Sequence, residues 1–569
     1  MNMDTVAIPP KETRVKKEDI ILLKNINTET EKTIFWADEI AENILKENPK
    51  EKNIIVKAGA SPSGAKHIGN LNDILRGFFV VEVLKLRNLN VRHIHTCDDR
   101  DPLRKIPNKV PDRDGKWHEF SEKEIKYLKK YIGYPYVNIP DPFGCCENWA
   151  RHFNNVWLDG IKSLGVDIEN YNNDDLYKEG LFDPIIKEIL LKINESREII
   201  SKFQENIPKD YVPFIAICEN CGKLTGKITN FNLEEKILEY ECIDRKLAGE
   251  YLIKGCGHKG ITNFRGGKLP WRFEWPSQWK LFNVHFEPFG KDHYEGSWPS
   301  GKEICIKILN HKPPLPYVYE FFLVNGEKMS SRLGNVYITQ DLLKILEPEV
   351  ILYFYSKNPE KQRNLDLSNL NLLVDEFDRI EKVFYEEIEP ANEREYSLAK
   401  RIYPIVMKGK ARKIRIPYTH AATIAQLKMS REQIINALIR SKMVNPNITQ
   451  EDIDHIIERI ENSGEWIKKY ANEKYKIKLL EKISIEELDI SNNMKKALEE
   501  LSKYIEIEND GEKIQSKIFS IAKEYGIKPS DFFKVIYRLF LGKNEGPRLG
   551  PFLAILDKNF VINRLRLIE

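Results

Sequence analysis

A loop between an apolar run and a helix-like segment carries the first residues that could do chemistry. NIIVK at 53–57 predicts a buried strand, AGASPSGAK a loop, residues 67–88 a helix, and VRHIHTC at 91–97 a second strand. Gly64 and Gly69 allow a ligand to approach the backbone closely, and the N-terminus of the predicted helix favours an anion. We therefore expect a phosphate group at this loop.

His67 stands in the first turn of that predicted helix. From there its ring could donate a hydrogen bond to charge that builds up on a pentacovalent phosphorus. The alternative is a histidine that only caps the helix or packs at its start. The strand, the PSG loop and the helix around His67 favour the phosphate role.

A second candidate element, GEKMSSRLGNV, lies far downstream and places Lys328 between two glycines. Its composition predicts a mobile loop, whose lysine could stabilise the charge that passes to pyrophosphate when ATP is attacked. The alternative is a solvated surface turn. The string KMS is not specific by itself, because it recurs at 428–430, where Ser430 is predicted to cap a helix with Gln433 at the capping-box position.

Two clusters of cysteine and histidine have the spacing of metal ligands. Cys218 and Cys221 form CENC, and Cys256 and His258 form CGH, with Cys242 as the rival of Cys256. Such paired knuckles suit tetrahedral zinc in a small fold that lacks its own core. The second cluster, DPFGCCENWARH, contains Asp141, Cys145, Cys146 and His152. Its spacing alone leaves simple packing of the adjacent cysteines open.

Together, HIGN and KMSSRLGN resemble the two signature sequences of class I aminoacyl-tRNA synthetases. Three further strings resemble the archaeal type of class I lysyl-tRNA synthetase: TCDDRDPLRKIP, GKLPWRFEWPSQWKLFNVHFEPFGKDH and LGKNEGPRLGPFLAIL. The first signature departs from the usual form at Asn70, as is common in the lysine branch. The second departs at Ser331 and Arg332, where Arg332 could supply the usual cation.

The resemblance implies roles for individual residues. His67 and Lys328 would be catalytic. The implied ATP-binding residues are Ser63, Gly64, His67, Gly69, Asn70, Lys328, Met329, Ser330 and Ser331. The implied lysine pocket has Gly59 and Ser61 on one side and Trp271 and His293 on the other. Asp99 and Asp101 follow the second strand, at the edge where open α/β sheets bind ligands, so either could neutralise the lysine ammonium.

The implied cofactors are Mg²⁺ with ATP and structural Zn²⁺, one or two ions per chain. The resemblance favours zinc at the cluster of Asp141, Cys145, Cys146 and His152. The other ligand set would be Cys218, Cys221, Cys256 and His258. Both sites would be structural, because four protein ligands leave no open position for a reacting water.

These residues must be positioned by several domains, since 569 residues exceed what one core normally organises. The βαβ pattern predicts a doubly wound, Rossmann-like parallel sheet. The irregular stretch that holds six of the eight cysteines predicts a zinc-bearing insertion, and amphipathic segments after residue 346 predict an α-helical C-terminal region. The predicted segments are a 1–31 extension, a 32–133 first half of the catalytic domain, a 134–265 insertion that binds the acceptor end, a 266–345 second half, a 346–400 connecting helical domain and a 401–569 anticodon-binding domain.

Composition limits the partners. The formal net charge is only +3, so RNA would have to be held by local patches such as KGKARKIRIPYTH and KNEGPRLG. No apolar run approaches a membrane span, and we expect a cytoplasmic protein, with a monomer favoured. The resemblance implies ATP-dependent loading of L-lysine onto tRNA(Lys). The rivals are another class I synthetase, such as one for glutamate, and a non-catalytic RNA-binding paralogue.

Overall fold

The computed structural model describes residues 35–246, 252–329, 335–483 and 490–568. The described residues up to Asp341, with Leu352–Asn364, form a first compact unit, and Leu342–Ile351 with the described residues from Leu365 form a second. Among the described helices, none is both long and apolar enough to cross a membrane.

The first unit is built on a five-stranded parallel sheet. Its strands are β1 (Asn53–Ala60), β2 (Asn90–Cys97), β3 (Glu169–Asn172), β4 (Phe286–Gly290) and β5 (Leu315–Tyr319). They lie in the order β5-β4-β1-β2-β3, so the chain winds outward from β1 in both directions. Ala60 pairs with Cys97 where β1 and β2 end. The predicted doubly wound fold is confirmed, and the carboxyl ends of its strands form one edge for ligands.

Helices cover both faces of this sheet. The main ones are α1 (Trp36–Glu47), α2 (Leu71–Leu86), α3 (Trp149–Ser163) and α4 (Trp271–Phe282). Helix α2 comes so close at Gly77 that a Cβ there would lie 3.1 Å from Val56 and 2.7 Å from His93. Helix α4 instead buries Trp275 and Trp279 against Ile55. Since successive strand residues face opposite sides, Ile55 and Val56 mark the two covered faces.

An antiparallel sheet forms the insertion. Its strands lie in the order Lys259–Asn263, Ile237–Cys242, Gly226–Asn232, Ile215–Ala216 and Gly267–Lys268. The insertion is narrower than the predicted 134–265, because the edge strand β3 of the main sheet lies inside that range. Sequence periodicity did not reveal β3, since ENYN is short and polar.

The remaining elements of the first unit are short. The short α-helices before residue 339 are Glu122–Leu128, Asn173–Lys178, Asp183–Leu191, Ile193–Ser201, Lys291–Glu295 and Trp298–Glu303. Short strands are Lys109–Pro111, Trp117–Glu119, Leu252–Ile253, Arg245–Lys246 and Phe322–Val324. Further along the chain lie the helices Thr339–Leu343 and Pro348–Ser356 and the strand Arg363–Leu365.

Helices make up the regular structure described in the second unit from residue 366 onward. They are Asn371–Phe384, Glu393–Met407, Tyr418–Ile424, Arg431–Arg440, Gln450–Lys469, Asn492–Ile507, Gly511–Glu524, Pro529–Leu541, Leu549–Ile555 and Lys558–Leu565. Ser430 caps Arg431–Arg440, and Gln433 completes the capping box. The interpretation of the second KMS string as a helix start is therefore confirmed.

Candidate active site and metal centres

The loop after β1 turns sharply before it enters α2. Gly64 has φ +148°, a value that side chains disfavour, and Ser63 beside it is exposed. His67 has extended backbone angles, and Ile68–Asn70 then forms a single 3₁₀ turn that leads into the helix. The Asn70 N–H donates to the His67 carbonyl at 2.8 Å. The backbone around His67 is thus fixed by local hydrogen bonds at the carboxyl edge of the sheet.

The two predicted signature segments meet at Gly69. A Cβ placed there would lie 2.8 Å from the His67 ring and 3.1 Å from the Met329 methyl group. Tyr337, downstream of the second signature, accepts a hydrogen bond from the Ile68 N–H at 2.8 Å. Only glycine leaves room for this approach at position 69. Segments about 260 residues apart in sequence therefore share one site.

The charges in this site suit phosphate chemistry. Burial, together with the nearby Lys66 and Lys328 ammonium groups, lowers the pKa of His67 to about 4. The ring is therefore neutral near pH 7, and one of its nitrogens carries a proton to donate. The Lys328 ammonium lies 4.6 Å from the centre of the Phe321 ring, and its carbonyl accepts from the Asn335 side chain at 3.2 Å. Ser330, Ser331 and Arg332 lie outside the described residues.

Two residues of the implied lysine pocket, Trp271 and His293, come together. Gly59 lies at the end of β1, where a Cβ would be 2.9 Å from the Thr96 hydroxyl. The Trp271 indole N–H donates to Ser297 Oγ at 3.2 Å, and His293 Nδ1 lies 3.3 Å from the same oxygen. Trp271 stacks on Trp275 with ring centres 5.2 Å apart. These stacked rings form a flat aromatic surface, of the kind on which an alkyl chain packs.

The two carboxylates singled out from the sequence have different surroundings. Asp99 is fully buried and accepts the Asp174 backbone N–H at 2.8 Å. Asp101 forms an ion pair of 2.6 Å with the buried Lys268. Burial alone would raise the pKa of Asp101, but the Lys268 ammonium outweighs burial and holds that pKa below its ordinary value, with help from the Ser61 hydroxyl. Asp101 is therefore already engaged by an ammonium, whereas Asp99 uses one carboxylate oxygen and buries the other, Oδ2, without a hydrogen-bond partner among the described residues.

Sequence reasoning missed a group of buried charges beneath the pocket. Lys57 on β1 and Glu287 on β4 form an ion pair of 2.8 Å. Glu287 also accepts the indole N–H groups of Trp275 at 3.0 Å and Trp279 at 2.6 Å. A lysine inside an apolar strand run was the available signal, because charge in such a run needs a buried partner. This network fixes helix α4, and with it the aromatic surface, on the sheet.

A second buried group was also missed. Lys268 bridges Asp101 and Glu274, at 2.6 Å and 2.7 Å. Burial raises the pKa of Glu274 to about 7, although the Lys268 ammonium opposes this rise. The neighbouring Asp98 accepts amide groups from Asn173 and Gln278, each at 3.0 Å. These contacts join the end of β2 to helix α4.

Four thiols of the insertion form the first candidate metal centre. The sulfurs of Cys218, Cys221, Cys242 and Cys256 lie within 4.8 Å of one another. In a tetrahedral site with metal–sulfur bonds of about 2.3 Å, neighbouring sulfurs are about 3.8 Å apart. Here the Cys218–Cys256 and Cys221–Cys242 sulfur distances are both 3.7 Å. The donor set therefore fits a tetrahedral thiophilic metal.

His258 does not belong to this cluster in the structure. Its Nε2 lies 2.8 Å from Glu219 Oε1. Cys242, the last residue of its strand, supplies the fourth thiol, and its N–H donates to the His258 carbonyl at 2.8 Å. The prediction is corrected on this point, because the register of the hairpin decides which side chain faces the knuckle and spacing alone does not reveal it.

The second centre matches the predicted residues. Ligand atoms of Asp141, Cys145, Cys146 and His152 lie within 4.8 Å of one another. His152 Nε2 lies 3.1 Å from the Pro111 carbonyl, and a proton on Nε2 leaves Nδ1 bare, 3.2 Å from Asp141 Oδ1 and 3.3 Å from Cys145 Sγ. A ligating histidine is normally held by such an outer hydrogen bond. This cluster too fits a tetrahedral metal.

The basic string predicted to face RNA is largely engaged within the second unit. Arg415 is buried and pairs with Glu349 at 2.6 Å and with Glu381. Lys413 pairs with Glu349 at 3.1 Å, and Arg412 pairs with Glu381 at 3.3 Å. Burial would lower the pKa of Arg415, but these carboxylates raise it well above its ordinary value. These cations stabilise the fold of the unit and are not available to RNA phosphates.

Comparison with known proteins gives two family matches. Residues 34–408 match the family described as class I (K) tRNA synthetases. Residues 426–568 match an anticodon-binding domain. Together the two matches span both structural units.

Archaeal relatives match over nearly the whole chain. A lysine–tRNA ligase from Halobacterium salinarum is 41% identical, over 94% of this chain and 97% of its own. Those from Pyrococcus furiosus and Methanocaldococcus jannaschii are 34% and 33% identical, each over 94% of this chain and over 99% and 100% of their own. A solved glutamate tRNA ligase from Elizabethkingia meningosepticum is 14% identical, covers 91% of this chain and 99% of its own, and has a TM-score of 0.39, too low to support inference.

Proposed function

The chain belongs to the lysine family of class I tRNA synthetases, and from this premise we propose that it joins L-lysine to tRNA(Lys) with ATP. In the first step the lysine carboxylate attacks the α-phosphorus of ATP, which gives lysyl-adenylate and pyrophosphate. In the second step a hydroxyl of the terminal ribose of the tRNA takes the lysyl group and releases AMP. Each step is a displacement, so catalysis comes from positioning and charge stabilisation.

One observation carries the assignment of the nucleotide site: Gly69 brings the His67 ring and the Met329 segment together at the carboxyl edge of the sheet. His67, being neutral, donates a hydrogen bond to the phosphate oxygens. Lys328 supplies positive charge where pyrophosphate leaves. Mg²⁺ would be held by the phosphates and would neutralise their remaining charge. Ser63, Gly64 and Asn70 line the same loop.

We propose that both metal centres hold structural zinc. Their ligands are thiolate, imidazole and carboxylate groups at tetrahedral spacing, the set that zinc prefers. Arg113 and Asn155 donate to the Cys146 sulfur at 3.6 Å and 3.7 Å, as expected around a thiolate. Each centre ties a loop to the fold, and neither leaves a coordination position for a reacting water.

The tRNA partner is proposed from the anticodon-binding match of residues 426–568. Because the paired cations of 412–415 are engaged, contacts with RNA must come from other side chains of this unit. We further propose that the enzyme acts as a cytoplasmic monomer.

Lysine- and ATP-dependent charging of tRNA(Lys) by the purified protein tests this function. His67→Ala and Lys328→Ala are each expected to lower lysine-dependent pyrophosphate exchange, assayed with tRNA present, by about 10²- to 10³-fold, the usual cost of losing one transition-state donor. Lys428→Ala is the matched control, because Lys428 lies in the second KMS string and should leave exchange unchanged. Exchange with glutamate in place of lysine would establish the rival specificity. A folded protein that binds tRNA and activates neither amino acid would establish the non-catalytic paralogue.

A further inference from the structure

The turn that carries His67 is held from outside by residues that follow the second signature. At Ile68, the next residue, the backbone N–H donates to the Tyr337 carbonyl at 2.8 Å. The Ile68 carbonyl accepts a hydrogen bond from the Tyr355 hydroxyl. Both polar backbone groups of this buried residue are therefore fixed by residues far downstream in the sequence.

Arg76 on helix α2 connects Tyr355 back to the same turn. Its Nε donates to the Asn72 side-chain oxygen at 3.1 Å, and the Asn72 amide donates to the Gly69 carbonyl at 3.1 Å. Its Nη1 donates to the Tyr355 carbonyl and, at 3.0 Å, to the Lys357 carbonyl. These bonds lead from the turn through α2 to Tyr355, whose hydroxyl returns to the turn and closes a hydrogen-bond ring.

This hydrogen-bond ring is buried and contains a cation. Asn72 exposes 1% of its surface, Tyr355 none and Arg76 3%. In the described part of the chain, no carboxylate forms an ion pair with Arg76, and its guanidinium lies 5.6 Å from the centre of the Trp36 ring. Burial lowers the pKa of Arg76 to about 10, so the group stays charged near pH 7. Because apolar side chains stabilise a core at least as well as a buried charge, packing alone does not account for Arg76.

We propose that Arg76 and Tyr355 are positioning residues, which hold the His67 turn where its imidazole meets the ATP phosphates. This inference rests on the proposed function. Tyr355 acts through the Ile68 carbonyl, and Arg76 acts through Tyr355 and Asn72. Burial raises the pKa of Tyr355 well above its ordinary value, so its hydroxyl remains a donor.

Tyr355→Phe tests the inference in the full-length enzyme, because it removes the hydroxyl and keeps the buried aromatic ring. A displacement of about 1 Å at a reacting group can cost about 100-fold in rate. In lysine-dependent pyrophosphate exchange with tRNA present, kcat should therefore fall about 10- to 100-fold. The KM for lysine should stay within about threefold, because the ring does not include the residues of the implied lysine pocket.

A double-mutant cycle with His67→Ala separates positioning from a general loss of structure. In the His67→Ala background, with residual exchange measured at raised enzyme concentration, adding Tyr355→Phe should change kcat less than about twofold. A residue with a merely structural role would lower kcat by the same factor in both backgrounds. Arg76→Lys keeps the charge but loses the planar fork that binds Asn72 and the Tyr355 carbonyl together, so it should show the same dependence on His67. It decides the question if Tyr355→Phe does not fold.

Tyr418→Phe is the matched control, because its buried hydroxyl also donates to a backbone carbonyl, that of Ile345 at 2.6 Å, within the second unit. It should keep kcat within about twofold of the wild type. A melting temperature close to that of Tyr418→Phe shows that Tyr355→Phe is folded. The inference is overturned if Tyr355→Phe leaves kcat unchanged, or if it lowers kcat equally with and without the His67 imidazole. Either result with an active wild-type enzyme leaves the proposed function intact, whereas a wild type that does not activate lysine ends both.

Discussion

Cys242→Ser is expected to lower the zinc content from two ions per chain to one, whereas His258→Ala should leave it at two. The Cys242 sulfur stands 3.7 Å from that of Cys221, which is the edge of a tetrahedral zinc site. His258 Nε2 is instead 2.8 Å from Glu219. The two substitutions therefore separate the ligand set seen in the structure from the one that spacing suggests.

The expected loss can be estimated from the energy of structural zinc. Such sites bind zinc with a free energy of about 10–16 kcal/mol at neutral pH. One of four ligands therefore accounts for about 3 kcal/mol, so its removal should lower the zinc affinity roughly 100-fold. Dialysis against a chelator of intermediate strength, followed by elemental analysis of zinc per chain, should resolve a loss of that size. Limited proteolysis within residues 215–268 should accelerate in parallel, because the antiparallel sheet is small and has the metal centre at its end.

The opposite pattern of metal contents would refute this reasoning. If His258→Ala lost one ion and Cys242→Ser kept two, the thiol at position 242 would be a packing residue. Asp141→Asn serves as the independent control, because it perturbs the other centre and should leave the four-thiol site filled.

Three further outcomes are expected. Lys57→Met should lower the free energy of unfolding of the first unit by about 3–5 kcal/mol, because it leaves the buried Glu287 carboxylate without its partner. Tryptophan fluorescence in denaturant measures this loss, and adding Glu287→Gln should recover part of it. Arg415→Met should destabilise the second unit by a similar amount without changing the salt dependence of tRNA binding, measured by filter retention. Burial lowers the pKa of His93 to about 3, so between pH 6.5 and 3 the unfolded state binds a proton that the folded state does not. The free energy of unfolding should therefore fall as the pH drops through that window, by about 2 kcal/mol from pH 6.5 to 5. In urea titrations, His93→Gln should make the free energy of unfolding depend less steeply on pH.

The sheet and the nucleotide loop could be predicted from the sequence because their signals are local. The apolar run of β1, the glycines after it and the periodicity of α2 each follow from neighbouring residues. The strand β3 gave no such signal, since ENYN is polar and pairs with β2 only in the folded sheet. That Cys242 joins Cys256 in the cluster, in place of His258, likewise depended on hairpin register, which residue spacing does not determine.

The roles of charged residues were the hardest to predict from the sequence, because the role of a charged side chain depends on which partner the fold gives it. The string at 408–420 looks like an RNA-binding patch, yet Arg415 is buried between Glu349 and Glu381. Asp99 and Asp101 stand where α/β sheets bind ligands, yet Asp101 is paired with Lys268, and Asp99 accepts a backbone N–H with one of its two oxygens.

The same accounting explains how the fold tolerates several buried carboxylates beneath the proposed pocket. Carboxylates packed together repel one another and would retain any cation unless the fold supplies its own. Lys57 pairs with Glu287, and Lys268 pairs with Asp101 and Glu274. A substitution of either lysine should therefore loosen discrimination between lysine and other cations as well as weaken the fold, and competition by ornithine in the exchange assay would reveal it.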